Sequence, residues 1–487
     1  MKILNLINGE MVEPANGAYF DTIEPATGQP YAQVPDSDEV DLNKAVAAAQ
    51  KAFPAWRDLG PEKRATIMNK MAELLEANQD RLIEAEIRDN GMTRSFATNV
   101  EVPRGAANFR AFAQAALSFG QPKKFKNDRA EGYVRHEPVG VVGTISPWNL
   151  PLLLFTWKIA PALASGNCVI AKPSEITPMT AYILSTLANE AGFPPGVLNI
   201  LHGTGPKIGN AITQHPGIAR LSFTGSTATG RAIGLACAQA FKKPPSLEMG
   251  GKNPTIVFDD ADFEKTVDGV MAAAFTNQGQ ICLCGSRIYV QEGIYEKFKN
   301  ALVAKTKAIT IGDPLDAGPR HGATVSKAHM DKVMFHIDLA KQEGGEILCG
   351  GERATVSGRC EEGYFIQPTL IEGLDNKSRT QQEEIFGPVA TITPFKTEAE
   401  AIALANDSSY GLASTIWTQD ITKATRVADA LESGMPWINC WNLRVLETPF
   451  GGYKNSGNGH REGAPDAMEF FTEKKTVTAP QLEGPAQ

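Results

Sequence analysis

Two stretches decide the fold: Val139-Gly140-Val141-Val142-Gly143-Thr144-Ile145-Ser146-Pro147-Trp148-Asn149 and, one helix later, Cys168-Val169-Ile170-Ala171-Lys172-Pro173-Ser174-Glu175. Each is a short β-rich run that ends in a polar, proline-bearing loop. Between them, residues 152–164 carry the apolar density of a buried helix. Strand, helix, strand in that order makes two parallel strands, because the crossover helix returns the chain to the same edge. The rhythm continues outward. A helix is expected over 177–190, a strand over 197–201, a helix over 208–213, a strand over 218–223 and a helix over 227–240. A second α/β series begins near Thr255–Phe258 and runs through Ile416. Upstream, Ile67, Met71, Leu74, Leu75 and Leu82 recur at helical spacing behind Pro61, predicting one helix over 61–89. Another is expected over 97–119, with Pro103 in its first turn. Repeated units of this kind form a parallel sheet covered on both faces by helices.

The chain has 487 residues, enough for roughly three folding units at ~150 each. A hydrophobic share of 42% and a charged share of 21% are those of a globular protein and exclude a disordered one. Forty-seven Lys plus Arg against 55 Asp plus Glu leave a net charge of −8, which argues against nucleic acid as a partner. Residues Met1–Glu10 hold one Lys and no apolar run of signal-peptide length. The most apolar stretch, Gly140–Ala171, is broken by Asn149, Lys158 and three prolines. A bilayer span needs about 20 mostly apolar residues, so this stretch reads as core and no membrane partner is expected. Seven cysteines, an odd number, point to reduced thiols and a cytoplasmic protein. No metal is expected: Cys282 and Cys284 are only two apart, with no second pair at zinc-site spacing.

Parallel sheets bind ligands at the carboxyl ends of their strands, so chemistry is expected in the loops there. Gly203, Gly205 and Gly209 lie between a strand and a helix. They serve either a tight turn or the approach of a phosphate to backbone N–H groups. Phe223-Thr224-Gly225-Ser226 repeats that geometry, with Ser226 either capping the helix or holding a pyrophosphate oxygen. No Lys-Ser/Thr pair follows Gly230, so the pattern of a nucleoside-triphosphatase loop is absent. Glu175 is either an N-terminal helix charge or the acceptor of a ribose 2′-hydroxyl. In the second role it repels a 2′-phosphate and selects NAD over NADP.

The segment Asn277-Gln278-Gly279-Gln280-Ile281-Cys282-Leu283-Cys284 is the most informative. Cysteine is usually a small buried hydrophobe. Cys282, however, stands in a Gly- and Gln-bearing turn behind a helix over 263–275, the setting an activated thiolate needs. Glu248-Met249-Gly250-Gly251-Lys252 offers a carboxylate on a flexible Gly-Gly turn as a general base. Asn149 offers an amide donor to a developing oxyanion, or simply stabilises its turn.

Together these motifs resemble the NAD(P)-dependent aldehyde dehydrogenase superfamily. The resemblance is carried by Ser146-Pro147-Trp148-Asn149, Lys172-Pro173-Ser174-Glu175, Phe223-Thr224-Gly225-Ser226, Glu248-Met249-Gly250-Gly251-Lys252, Gly279-Gln280-Ile281-Cys282, Glu384-Ile385-Phe386-Gly387-Pro388 and Pro449-Phe450-Gly451-Gly452, in family order. Met249 stands where the family usually has Leu, a volume-conserving change. The resemblance implies an α/β fold: a Rossmann-type NAD-binding domain (1–120 and 139–249), an α/β catalytic domain (250–450) and a small β oligomerisation flap with the tail (121–138 and 451–487). It implies that Cys282 attacks an aldehyde to give a thiohemiacetal, then a thioester after hydride transfer to NAD. Asn149 and the Cys282 N–H hold the oxyanion, and Glu248 activates the hydrolytic water. Cys284 is a spectator. Lys172 and Glu175 become adenosine-ribose contacts, Ser226 a pyrophosphate contact, and Glu384 with Phe386 the nicotinamide-ribose side. Ser146, Pro147, Trp148, Ser174, Gly205, Phe223, Thr224, Gly225, Met249 and Gly250 complete the cofactor site. An exposed apolar flap edge, near Gln121–Pro138 and Lys475–Thr478, is expected to join subunits into a homodimer or homotetramer.

Substrate choice falls to residues around the tunnel: Arg104, Arg444 and Phe450. Both arginines are either surface ion-pair formers or a grip for a substrate carboxylate. Arg110 is six residues from Arg104 and does not share its helix face. Val102-Pro103-Arg104, Gln280–Cys284 and Asn439-Cys440-Trp441 with Arg444 resemble the branch that oxidises 2-aminomuconate or 2-hydroxymuconate 6-semialdehyde. A betaine-aldehyde or general aldehyde dehydrogenase is the alternative. The Glu248-type base argues against a CoA-acylating relative, and retention of Cys282, Glu248 and Asn149 together argues against a non-catalytic one.

Overall fold

The computed structural model describes residues 1–480 and is built on two seven-stranded sheets. The first runs, edge to edge, Ser246–Glu248, Arg220–Thr224, Val141–Ile145, Cys168–Lys172, Leu198–Ile200, Asn5–Ile7 and Glu10–Val12. Its first five strands are parallel and the last two pair antiparallel. Ile145 lies opposite both Lys172 and Phe223, and Thr224 lies opposite Glu248. The register therefore brings four loops that matter for chemistry to one sheet end. Pro151–Ala164 packs on this sheet and is buried almost throughout, as its sequence requires.

The second sheet runs Glu346–Cys349, Thr369–Glu372, Val389–Phe395, Arg287–Gln291, Pro254–Val257, Ala413–Trp417 and Met435–Ile438, parallel except for the first strand. Its series extends one strand beyond the expected end at Ile416. A third, antiparallel sheet joins Thr472–Pro480, Ala130–Pro138 and Lys123–Lys126. Its edges carry Lys474 and Lys475 on one side and Lys123, Lys124 and Lys126 on the other, and all five are exposed. Val477 is also exposed on the edge strand Thr472–Pro480, so the expected apolar edge is a mixed one with lysines beside an apolar side chain. The tail at 481–487 lies outside the described residues. Among the described residues no helix is long and apolar enough to cross a membrane.

Two helical expectations change. The helix predicted over 61–89 is two helices, Pro61–Ala77 and Gln79–Asn90, broken at Asn78 (φ −106°, ψ 19°). The Asn78 side chain donates to the Leu74 carbonyl at 2.8 Å and competes with the helix for its last acceptors. The helix expected from residue 97 opens with a wide π turn over Ala97–Glu101 before Val102–Phe119 continues as α-helix, with Pro103 in its first turn.

Candidate active site

The turn before Cys282 is held in an unusual backbone conformation. Helix Phe263–Phe275 ends, and Asn277, Gln278 and Gly279 then take positive φ values of 51°, 55° and 69°. Two of these are not glycine, and such strain persists only where surrounding contacts impose it. Those contacts are present. Asn277 Nδ2 donates to the Asn149 carbonyl at 3.1 Å, and Gln278 Nε2 to the Ala323 carbonyl at 3.0 Å. A Cβ on Gly279 would strike the Gly387 carbonyl, so only glycine fits there. Asn253 Nδ2 ties both the Cys282 carbonyl (2.7 Å) and the Cys284 carbonyl (2.9 Å). Cys282 is half-buried and Cys284 fully buried, its sulfur 4.0 Å from the Thr276 carbonyl. Removal from water raises the Cys282 thiol above its usual range, and the carboxylates of Glu384 and Glu248 add to the effect.

Asn149 is buried in the neighbouring loop, and its Nδ2 donates to the Gln280 carbonyl at 3.0 Å. With the Asn277 bond, this cross-ties the Trp148–Asn149 loop to the turn that carries Cys282. Asn90 steadies the same loop by donating to the Trp148 carbonyl at 2.9 Å.

Glu248 is the last residue of its strand and only 2% exposed. The sequence suggested a carboxylate on a flexible Gly-Gly turn. The glycines do follow, but the carboxylate itself is fixed in the core. Neither oxygen has a well-formed hydrogen bond. Burial, then the like charge of Glu462, push its pKa well above the usual carboxylate range; Lys158 and Arg461 oppose them without prevailing. Lys158, buried in the apolar helix, donates to Glu462 Oε1 at 2.8 Å and to Ser222 Oγ at 3.0 Å. Sequence reasoning noted Lys158 only as an interruption of an apolar run. Its partner lies 304 residues away, beyond any local pattern.

At the carboxyl end of the first sheet lies a cavity of about 790 Å³. Ser146, Pro147 and Trp148 line it on one side, and Lys172, Ser174, Glu175 and Gly205 on another. Phe223, Thr224, Gly225 and Ser226 close the third, beside an apolar wall that includes Ala232 and Ile233. Lys172 Nζ meets Glu175 Oε2 at 2.9 Å, and the Gly205 N–H donates to Glu175 Oε1 at 3.0 Å. Burial alone would raise the Glu175 pKa, but Lys172 and the Gly205 N–H outweigh it and hold the carboxylate ionised. Ser226 does cap its helix, accepting the Thr229 N–H at 3.2 Å. The Thr224 hydroxyl is buried without a partner, an orphan that a bound acceptor would satisfy. An apolar wall, a free hydroxyl, a helix start and an ionised carboxylate fit a dinucleotide.

Met249, Gly250, Glu384 and Phe386 lie beyond that cavity, towards Cys282. The Met249 sulfur packs on Gly230, and a Cβ on Gly250 would strike the Glu384 carboxylate. Glu384 accepts the Gly251 N–H at 2.8 Å. Phe386 has φ +65°, and its carbonyl accepts from the His329 ring at 2.7 Å while its own ring meets Trp148 edge-on at 5.3 Å. His329 and Lys332, which donates to the Glu384 carbonyl at 3.0 Å, carried no signal in the sequence.

The two arginines also resolve. Arg104 points inward, 5.5 Å from the Trp157 ring. Arg110 faces out and pairs with Glu76 at 2.6 Å. Arg444 sits 5.8 Å from the same Trp157 ring and 4.2 Å above Phe450. Neither Arg104 nor Arg444 has an acidic partner within ion-pair distance among the described residues. Burial, with Arg444 adding, lowers the Arg104 pKa to about 10, still cationic at neutral pH. Burial pushes the nearby Glu101 up to about 8, which disfavours its ionised form at neutral pH.

A model of the aldehyde dehydrogenase family matches residues 11–477. The chain belongs to the aldehyde dehydrogenase family. It is 46% identical over 477 residues to 2-aminomuconic semialdehyde dehydrogenase of Danio rerio, covering 97% of each chain. It is 42% identical over 483 residues to 2-hydroxymuconic semialdehyde dehydrogenase of Pseudomonas sp. (strain CF600), covering 98% of this chain and 99% of that one. An NAD+ complex of aldehyde dehydrogenase from Bacillus cereus superposes with a TM-score of 0.95 at 39% identity, covering 99% of this chain and 97% of that one. The α/β fold read from the sequence is thus that of the family, and the protein is an aldehyde oxidoreductase.

Proposed function

We propose that this aldehyde dehydrogenase oxidises an anionic semialdehyde, 2-aminomuconate or 2-hydroxymuconate 6-semialdehyde, with NAD as acceptor. The observation that carries the substrate is the pair of cations, Arg104 and Arg444, flanking Trp157 without an acid to neutralise them. Two half-buried guanidiniums favour a carboxylate and repel a cation, which argues against betaine aldehyde.

Cys282 attacks the aldehyde carbon, its thiol proton passes to solvent water, and the carbonyl oxygen becomes the oxyanion of the thiohemiacetal. The Asn149 amide and the Cys282 N–H stabilise the oxygen as charge builds on it. When bound, the nicotinamide would supply the hydride acceptor, and Glu384 and Phe386 would hold its ribose side. Glu248 then takes a proton from the water that hydrolyses the Cys282 thioester, and the carboxylic acid leaves. Lys172 and Glu175 would hold the adenosine ribose. Glu175, held ionised, would disfavour a 2′-phosphate there.

In this proposal the first sheet and its helices, residues 1–120 and 139–249, bind the cofactor, and residues 250–450 carry the nucleophile. The segments 121–138 and 451–487 join subunits into a homodimer or homotetramer. The open edge strand Thr472–Pro480 supports the assembly, and seven unpaired thiols suit the cytoplasm. Following NADH absorbance with 2-hydroxymuconate 6-semialdehyde, hexanal and betaine aldehyde, each with NAD and with NADP, tests it. Highest kcat/KM is expected for the anionic substrate with NAD. Preference for hexanal or for NADP would refute the corresponding part.

A further inference from the structure

Arg104 is useful to an anion only if its side chain is both aimed and left charged. The residue that aims it lies one helical turn on. Arg104 Nε donates to Asn108 Oδ1 at 3.0 Å. Asn108 is fully buried, and its Nδ2 donates to the Leu153 carbonyl at 2.9 Å and to Thr156 Oγ1 at 3.0 Å. Thr156 in turn donates to the Leu152 carbonyl at 2.8 Å, which leaves its oxygen free to accept from Asn108. With both amide protons committed, the amide cannot flip, and its oxygen has only Arg104 to meet. Nε is thereby used up, and the terminal guanidinium nitrogens make no hydrogen bond to any described residue. The Cζ of the same guanidinium lies 5.5 Å from the centre of the Trp157 ring.

We propose that Asn108 is a specificity-determining positioning residue: a neutral acceptor that aims the Arg104 fork at the substrate's carboxylate without neutralising it. This rests on the anionic-substrate reading given above. The choice of residue follows from charge. Aspartate would offer the same oxygen to Nε, but as an ion-pair partner it would cancel the charge the substrate needs. Leucine has the same size and branching without an acceptor, and would leave a long, rotamer-rich side chain unaimed. Asparagine alone of the three orients and preserves.

The test compares Arg104→Gln, Asn108→Asp and Asn108→Leu in the full-length enzyme. The kcat/KM values for 2-hydroxymuconate 6-semialdehyde and for hexanal are measured, with KM for NAD and thermal midpoints alongside. Loss of a charge-assisted contact predicts that Asn108→Asp lowers kcat/KM for the anionic substrate by about ten- to a hundredfold, with Asn108→Leu at about tenfold. Hexanal turnover and KM for NAD should stay within about twofold in both. If Arg104→Gln loses anion selectivity while both Asn108 variants keep it, the role of Asn108 is overturned and the substrate reading stands. If Arg104→Gln itself shows no selective loss, the substrate reading fails and this inference falls with it. Equal losses for both aldehydes in the Asn108 variants would make Asn108 a packing residue and overturn the proposal. Should Asn108→Leu unfold, Asn108→Asp, which keeps the shape and the oxygen facing Nε while giving up the two amide donations, decides the question by the same ratio between the two aldehydes.

Discussion

Replacing Arg444 by methionine should separate charge from packing at the substrate mouth. The guanidinium has no hydrogen-bond or ion-pair partner among the described residues and lies 4.2 Å above the Phe450 ring and 5.8 Å from Trp157. Methionine keeps an unbranched apolar stem over Phe450, so what the folded protein loses is chiefly the cation–π contact, worth about 0.5–1 kcal/mol at such a site. A thermal midpoint lowered by no more than a few degrees is expected. An anionic substrate loses more: a charge-assisted hydrogen bond contributes about 1.5–3 kcal/mol, or about ten- to a hundredfold in kcat/KM. Hexanal has no charge for Arg444 to meet, and an uncharged, more apolar mouth should leave its turnover unchanged or improve it. The assay is NADH formation with 2-hydroxymuconate 6-semialdehyde and hexanal across a substrate series. Equal losses for the two aldehydes would show that Arg444 merely props the loop over residues 439–448, and would return the substrate to a generic aldehyde.

Two further outcomes follow from buried titratable groups. Glu248 has its pKa raised by burial and then by Glu462, so it is protonated at low pH and becomes a base only as pH rises. Deacylation, read by pre-steady-state NADH bursts, should therefore speed up with pH; Glu462→Gln should move that rise to lower pH, and an unmoved profile would remove Glu462 from the coupling. His202 has both ring nitrogens buried without partners, and burial, then Lys172, lower its pKa to about 3. The unfolded chain, with a His pKa near ~6.5, then binds the extra proton, so stability is complete above that value and is lost as pH falls towards 3, by up to about 1.4 kcal/mol per pH unit. His202→Leu should flatten this slope in denaturant melts between about pH 5 and about pH 7, and an unchanged slope would assign the acid lability to other histidines such as His321 and His329.

The parts that were legible in the sequence are those set by local pattern. Val141–Ile145 and Cys168–Lys172 are apolar runs ending in loops, and their pairing follows from the helix between them. The motif loops were legible because glycine, proline and polar residues mark strand ends. What escaped was of three kinds. Asn78 splits a continuous helical pattern through one side-chain hydrogen bond, a competition that apolar spacing does not record. Lys158 and Glu462 meet across 304 positions, so their pairing is a property of the fold and not of either segment. The left-handed run Asn277–Gly279 is imposed by Asn149, Ala323 and Gly387 from three other segments. Asn108 is different: it stands four residues after Arg104 on one helix, the spacing at which side chains touch, and that signal was available.

Covalent catalysis through Cys282 predicts an acyl-enzyme that can be trapped. Glu248→Gln removes the base for hydrolysis and keeps the shape of the buried carboxylate. Mixed with NAD and a saturating aldehyde, this variant should release close to one NADH per active site and then stall. Peptide mass mapping at acid pH should find the acyl group on Cys282 and none on Cys284, whose sulfur is buried against the Thr276 carbonyl. An adduct on Cys284, or steady turnover with no adduct, would contradict the account.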